Sequence, residues 1–263
     1  MTTGSSSPVS PPLWRLLVVG VVGGLLSGAF GIGGGIVMVP LLTAFAGLDA
    51  KRASAASLAA ILPTSIVASI TYLVQGEVDL VAAAYVAGGS VVGTIIGGYL
   101  LRVVATRVLQ WLFIGVIVLA AARLLLVGDA RSTSAALIPD GAWSGLVLVA
   151  LGLFMGIASG LFGIGGGLIA VPGLVGLVGE TDLVAKGTSL VVMIPTALIG
   201  TIGNARRGFV VVTPSLLLGA AAAVSSFGGV ALAFAMPARV SAVLFAILLL
   251  AVAVQQAVRA IRS

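Results

Sequence analysis

The sequence predicts an all-α polytopic membrane protein made of two homologous halves, arranged as an inverted repeat. Each half is expected to hold a glycine-broken helix pair, discontinuous or re-entrant, plus three spans. Three observations predict this. Of the 263 residues 60% are hydrophobic and 8% charged, and the mean hydropathy is +1.30, far outside the range of a soluble domain. The apolar tracts reach the roughly 20 residues of a helical span and lack the ten-residue alternation of a membrane barrel. The run Ser27 to Pro40 recurs 132 residues later as Ser159 to Pro172, with ten of fourteen positions identical.

The elements follow in order. Residues 1–12 are polar, rich in Ser and Pro, and lack the basic start of a cleavable signal, so a disordered tail is expected there. Leu13 to Phe30 is the first apolar segment, anchored by Trp14 and Arg15. Gly31 to Gly35 breaks it, because glycine costs about 1 kcal/mol relative to Ala in a helix interior. Ile36 to Gly47 is then only about 18 Å long as a helix, roughly half the hydrocarbon thickness. Spans are expected from Ala53 to Val74, Leu80 to Leu101 and Val108 to Val127, the second with Gly88, Gly89, Gly93, Gly97 and Gly98 for close packing. Residues 128–142 read as the linker that separates the repeat 13–127 from the repeat 143–263.

Past the linker the pattern restarts. Trp143 to Phe162 leads to the break Gly163 to Gly167, then Leu168 to Val178 and a polar loop with Glu180, Asp182 and Lys186. Spans near Gly187 to Gly203, Val210 to Phe234 and Val240 to Val258 complete the chain. Ser57 falls on Ser189, Pro63 on Pro195, Thr64 on Thr196 and Arg107 on Arg239 with no gap at the offset of 132, so the halves share a fold. Charges choose between parallel and inverted halves. With five segments per half, nine of the thirteen Lys and Arg fall on one side and four on the other; with four segments the split is seven to six. The positive-inside rule selects the first, with both termini cytoplasmic.

The residue inventory excludes much chemistry. There is no Cys and no His, which removes disulfides, thiolate and imidazole metal sites, and His-based catalysis. The net charge of +6 is spread singly or in pairs between spans, the pattern of membrane orientation rather than nucleic-acid binding. All seven acidic residues fall in expected loops, which leaves no carboxylate relay at mid-membrane. An enzyme is not expected, since no base stands beside an intramembrane Ser.

What remains at membrane depth is backbone and hydroxyls. Successive N–H groups in a glycine turn form an anion-binding nest, and a following helix adds the positive end of its dipole. The candidate substrate-binding residues are therefore Gly31, Gly33, Gly34 and Gly35 with Pro40, and Gly163, Gly165, Gly166 and Gly167 with Pro172. Ser57, Thr64, Ser189 and Thr196 join them, because each recurs at the repeat offset near a proline that opens the helix. Plain helix packing for the glycines and self-capping for the hydroxyls stand as the competing roles. Asn204, Arg206 and Arg207 end a span on the expected cytoplasmic side, as orientation charges or as a positive vestibule. The run from Gly31 to Ile36 lacks the last glycine of a dinucleotide-binding loop, so no nucleotide cofactor is expected, and the lack of Cys and His leaves no metal expected.

The doubled G-x-G-G-G run with Pro five residues on, at Gly31 to Pro40 and Gly163 to Pro172, with Pro63 and Pro195 behind them, resembles the TauE/SafE family over essentially the whole chain. The resemblance implies a transporter exporting sulfite or small organosulfonates across the bacterial cytoplasmic membrane. Its partners would be a small anionic substrate and the lipid bilayer, with a homo-oligomer left open. The rival expectation is a non-transporting membrane scaffold whose glycines only pack helices.

Overall fold

The computed structural model describes residues 12–103, 142–210 and 212–262, with 108, 111, 112, 114, 115, 117–119, 121 and 122 helical between them. The expected tail and linker lie, apart from Pro12 and Ala142, outside the described residues. Helices α1 (Leu13–Phe30), α2 (Gly35–Phe45), α3 (Ala50–Val74) and α4 (Leu80–Val103) make up most of the first half. In the second, α5 (Ala142–Phe162) is followed by the short α6 (Gly167–Gly173), which runs on as a π turn over Leu174–Val178. Then come α7 (Asp182–Arg206), α8 (Val212–Ala235) and α9 (Ala238–Arg262). Seven of the described helices are long and apolar enough to cross a membrane, and α2 and the helix Gly167–Val178 are shorter.

Local chemistry sets the ends. Asp49 caps α3 by accepting from Arg52 N at 2.9 Å, and the Thr181 hydroxyl caps α7 by accepting from Val184 N at 3.3 Å. The second cap starts α7 five residues before the expected span. Asp182 and Lys186, expected in a loop, therefore belong to the helix, where charge alone had suggested solvent.

Each short helix folds back along the helix before it. Arg15 Nη1 donates to Phe45 O at 2.8 Å, joining the start of α1 to the end of α2, and a side chain on Gly23 would meet Met38. In the second half Gly166 meets Met155 and Gly173 meets Leu151 in the same antiparallel way.

The halves are interlocked rather than side by side. Helix α1 lies parallel to α8, with Gly20 on Leu218, Gly24 on Ala222 and Gly28 on Ser226. The same seam recurs at the repeat offset, where Gly152, Gly156 and Gly160 of α5 meet Val86, Ser90 and Thr94 of α4. Absent side chains let these backbones touch, as close membrane packing requires. Between the seams α3 and α7 cross antiparallel: Gly187 packs on Tyr72 at one end and Gly200 on Leu58 at the other.

Candidate functional site

The two glycine breaks adopt one conformation. Gly31, Gly33 and Gly34 have φ of 68°, 71° and 72°, and Gly163, Gly165 and Gly166 have 71°, 78° and 87°. These are left-handed values that side chains resist, so glycine is required at all six. The Gly31 and Gly163 N–H groups close the preceding helices on Ser27 O and Ser159 O, both at 2.8 Å. No side chain caps α2 or α6, so their first N–H groups have no such acceptor.

The breaks abut. A methyl on Gly35 would lie 2.6 Å from Ile164 Cα, and one on Gly167 would lie 2.7 Å from Ile32 Cα. Gly33 and Gly165 both rest on the same two side chains, Ile61 of α3 and Met193 of α7. The eight sequence-predicted glycines are thus one cluster, walled by the antiparallel pair. Pro40 and Pro172 sit buried inside α2 and α6, five residues on. Lacking N–H groups, they leave the carbonyls of Ile36 and Leu168, one turn back beside the breaks, without their usual helical donor.

The hydroxyls divide. Ser189 donates to Gly31 O at 2.7 Å and also lies 2.7 Å from Lys186 O, which ties α7 to the first break. Its repeat partner Ser57 is fully buried with no hydrogen-bond partner. Thr64 donates to Ala60 O at 2.7 Å and Thr196 to Val192 O at 2.8 Å, with Ser90 Oγ 3.0 Å from Thr196. Both threonines thus bond their own helices, and their contacts do not join them to the glycines.

Sequence reasoning missed three further residues. Ser27 and Ser159 occupy equivalent places one turn before the breaks, both at 0% exposure and both without a partner. Their recurrence inside the doubled motif was the available clue. Lys186 is 1% exposed and its Nζ lies 2.6 Å from Asp182 Oδ2 and 2.7 Å from Ser241 Oγ. Its Cα is 2.7 Å from where a Gly31 methyl would stand, and its repeat partner Ser54 meets Gly163 in the same way. Among the described residues a buried cation therefore flanks the first break, held by the carboxylate one turn earlier, where the second break has Ser54.

The sequence matches the family described as Sulfite exporter TauE/SafE over residues 2–124 and 148–263. Among curated relatives it is 28% identical over 187 residues to the probable membrane transporter protein YdhB of Bacillus subtilis, covering 71% of this chain and 76% of that one. The probable membrane transporter protein YunE of the same organism is 27% identical over 215 residues, covering 74% and 79%. A probable membrane transporter protein of Methanocaldococcus jannaschii, MJ0441, is 29% identical over 163 residues, covering 60% and 59%. No solved structure matches. The doubled glycine break, the helical membrane architecture and this match over both halves have one reading: the chain is a multi-pass membrane protein belonging to the TauE/SafE family of membrane transporters.

Proposed function

We propose that this chain is a secondary transporter that carries a small anion, sulfite or an organosulfonate, out of a bacterial cell by alternating access. The observation that carries the reading is the meeting of two uncapped glycine breaks between α3 and α7. Their N–H groups supply anion-binding donors in a water-poor setting, and the breaks belong to both halves, as a moving carrier requires. Ser57 and Ser159, buried and unpartnered, would give hydroxyl donors to the oxygens of the substrate. The antiparallel packing of α3 on α7, equivalent helices under the offset of 132, supports an inverted repeat, and the nine-to-four division of Lys and Arg supports cytoplasmic termini.

The test pairs transport with stability. In proteoliposomes with radiolabelled sulfite inside, the Ser57→Ala, Ser159→Ala double variant should lose about tenfold or more of the flux, the scale of two lost charge-assisted hydrogen bonds. Its melting temperature should hold or rise, because an unpartnered buried hydroxyl contributes no bond to the fold. Full flux in that variant would sink the assignment of these hydroxyls. No anion flux in the unaltered chain would return the protein to the scaffold reading.

A further inference from the structure

The repeat makes each feature of one half a control for the other, and one feature breaks the symmetry. A cavity of about 380 Å³ opens between α3, α4, α5 and α7. Leu58, Gly160 and Gly200 line it, the first two being chain neighbours of Ser57 and Ser159, while Asn204, Arg206 and Arg207 stand at the end of α7. Arg207 Nη2 lies 3.3 Å from Gly98 O, which holds the guanidinium against the cavity wall.

At the offset of 132, Gly160 corresponds to Gly28, Gly200 to Ala68 and Asn204 to Tyr72. On that opposite side Tyr72 is at 0% exposure, and its hydroxyl donates to the carbonyl of Gly28 at 2.9 Å. Its ring packs on Phe234 with centroids 5.5 Å apart. Where the second half leaves a polar opening, the first half places an aromatic plug latched to the backbone. The charges are biased likewise. Arg15, Lys51 and Arg52, with Asp49, lie at the end of the bundle that carries Arg206 and Arg207, whereas Glu77, Asp79 and Glu180 lie at the end that Tyr72 closes, together with the Asp182–Lys186 pair and Arg239.

We propose that the cavity is a binding site for a small oxyanion or sulfonate arriving from the arginine-bearing face, with Arg207 and Asn204 as its polar contacts, and that Tyr72 closes the repeat-related path on the opposite face. This rests on the transporter reading and adds to it where the anion first binds and which side chain bars the far side. The Arg207 guanidinium brings a fixed positive charge to the cavity while its Nη2 donates to Gly98 O, and cavity walls of low dielectric strengthen its attraction for an anion. Asn204 adds an amide donor.

The chain has no cysteine, so single introduced thiols are unique reporters. Ile199 lines the cavity, and Val67 is its repeat partner on the plugged side. In the purified full chain in detergent, a charged maleimide should modify Ile199→Cys readily and Val67→Cys at least about tenfold more slowly. That ratio corresponds to about 1.4 kcal/mol of bias toward the plugged state. Sulfoacetate should slow the labelling of Ile199→Cys, and Arg207→Gln should raise the half-protecting concentration about tenfold. Tyr72→Asn, which installs the residue of the other half, should speed the labelling of Val67→Cys. Tyr72→Phe keeps the ring and should do so more weakly, and it serves if the Asn variant does not fold. Equal labelling of the two thiols in the Tyr72 background, or no protection by sulfoacetate while the unaltered chain still moves sulfite, overturns the cavity assignment and leaves the transporter reading standing. Loss of both protection and flux overturns both.

Discussion

Lys186 carries a charge that the fold has taken out of water, and its surroundings show how that is sustained. Its ammonium is held by Asp182 at 2.6 Å and by the Ser241 hydroxyl at 2.7 Å. Removing one member of such a pair leaves the other charge buried and costs about 3 kcal/mol or more, whereas replacing both with apolar groups is close to neutral. Lys186→Met should therefore lower the melting temperature sharply, and Lys186→Met combined with Asp182→Leu should recover most of the loss. Equal melting temperatures for the single and double variants would show that the pair is not coupled. This residue was not legible in sequence, since a lone lysine near two acids reads as a polar loop. The helix reaches back over it because of the Thr181 cap, and its shelter comes from α9 and the first glycine break, neither of them a sequence neighbour. The glycines of the breaks were legible, because three φ values between 68° and 87° in each favour a residue without a side chain.

The helical elements show which glycines in a stripe are structural. In α4, Gly89, Gly93 and Gly97 are pressed on backbone atoms of α5, while Gly88 has nothing within 4 Å and Gly98 faces the Arg207 guanidinium. A methyl on Gly93 has nowhere to go, since it meets the Leu153 carbonyl and lies 2.9 Å from Ile157 N. Gly93→Ala should thus lower the melting temperature, and Gly88→Ala should raise it, helped by up to about 1 kcal/mol of helix propensity. The reverse order in a thermal melt would mean that the seam is not a tight contact. The sequence displayed the stripe but not its partner, because five glycines in one span satisfy several spacings at once. Only the parallel placement of α5 selects the four-residue one. The helix ends were equally uneven: α1 and α5 end at the residues expected, whereas the π turn after Pro172 had no counterpart in the first half to announce it.

At the scale of the whole molecule the halves meet through shared seams and through one acidic junction. Glu180, in the turn before α7, lies beside Asp79, in the turn before α4, so a carboxyl of each half faces the other. Half-buried, and then opposed by that neighbour, Glu180 has its pKa pushed up from 4.5 to about 7. A carboxyl whose pKa is raised by folding favours the native state while it stays protonated. Its stabilisation is full below about 4.5 and is lost as pH rises through about 7. The melting temperature should accordingly fall across that window, and Glu180→Gln, which keeps a hydrogen-bond donor without ionising, should flatten the fall. An unchanged slope in that variant would place the pH response elsewhere. The repeat made the kinship of the halves legible, but not their interlocking. An offset of 132 says which residues are equivalent and is silent on which helices touch.

The opposite charges at the two ends of the bundle have a kinetic consequence. Arg15, Lys51, Arg52, Arg206 and Arg207 outnumber Asp49 where the cavity opens, and Glu77, Asp79 and Glu180 stand at the Tyr72 end, where Asp182 is paired with Lys186 and Arg239 starts α9. If the chain carries an anion as proposed, one leaving past these carboxylates is repelled as it departs, which hastens its release and slows its rebinding. The half-saturation constants on the two faces then differ, lower at the basic end, although the fixed charges do no work and cannot drive net flow. With no gradient the turnover rates offset the difference. With a gradient from the basic end, such a carrier would be hard to inhibit by its own product.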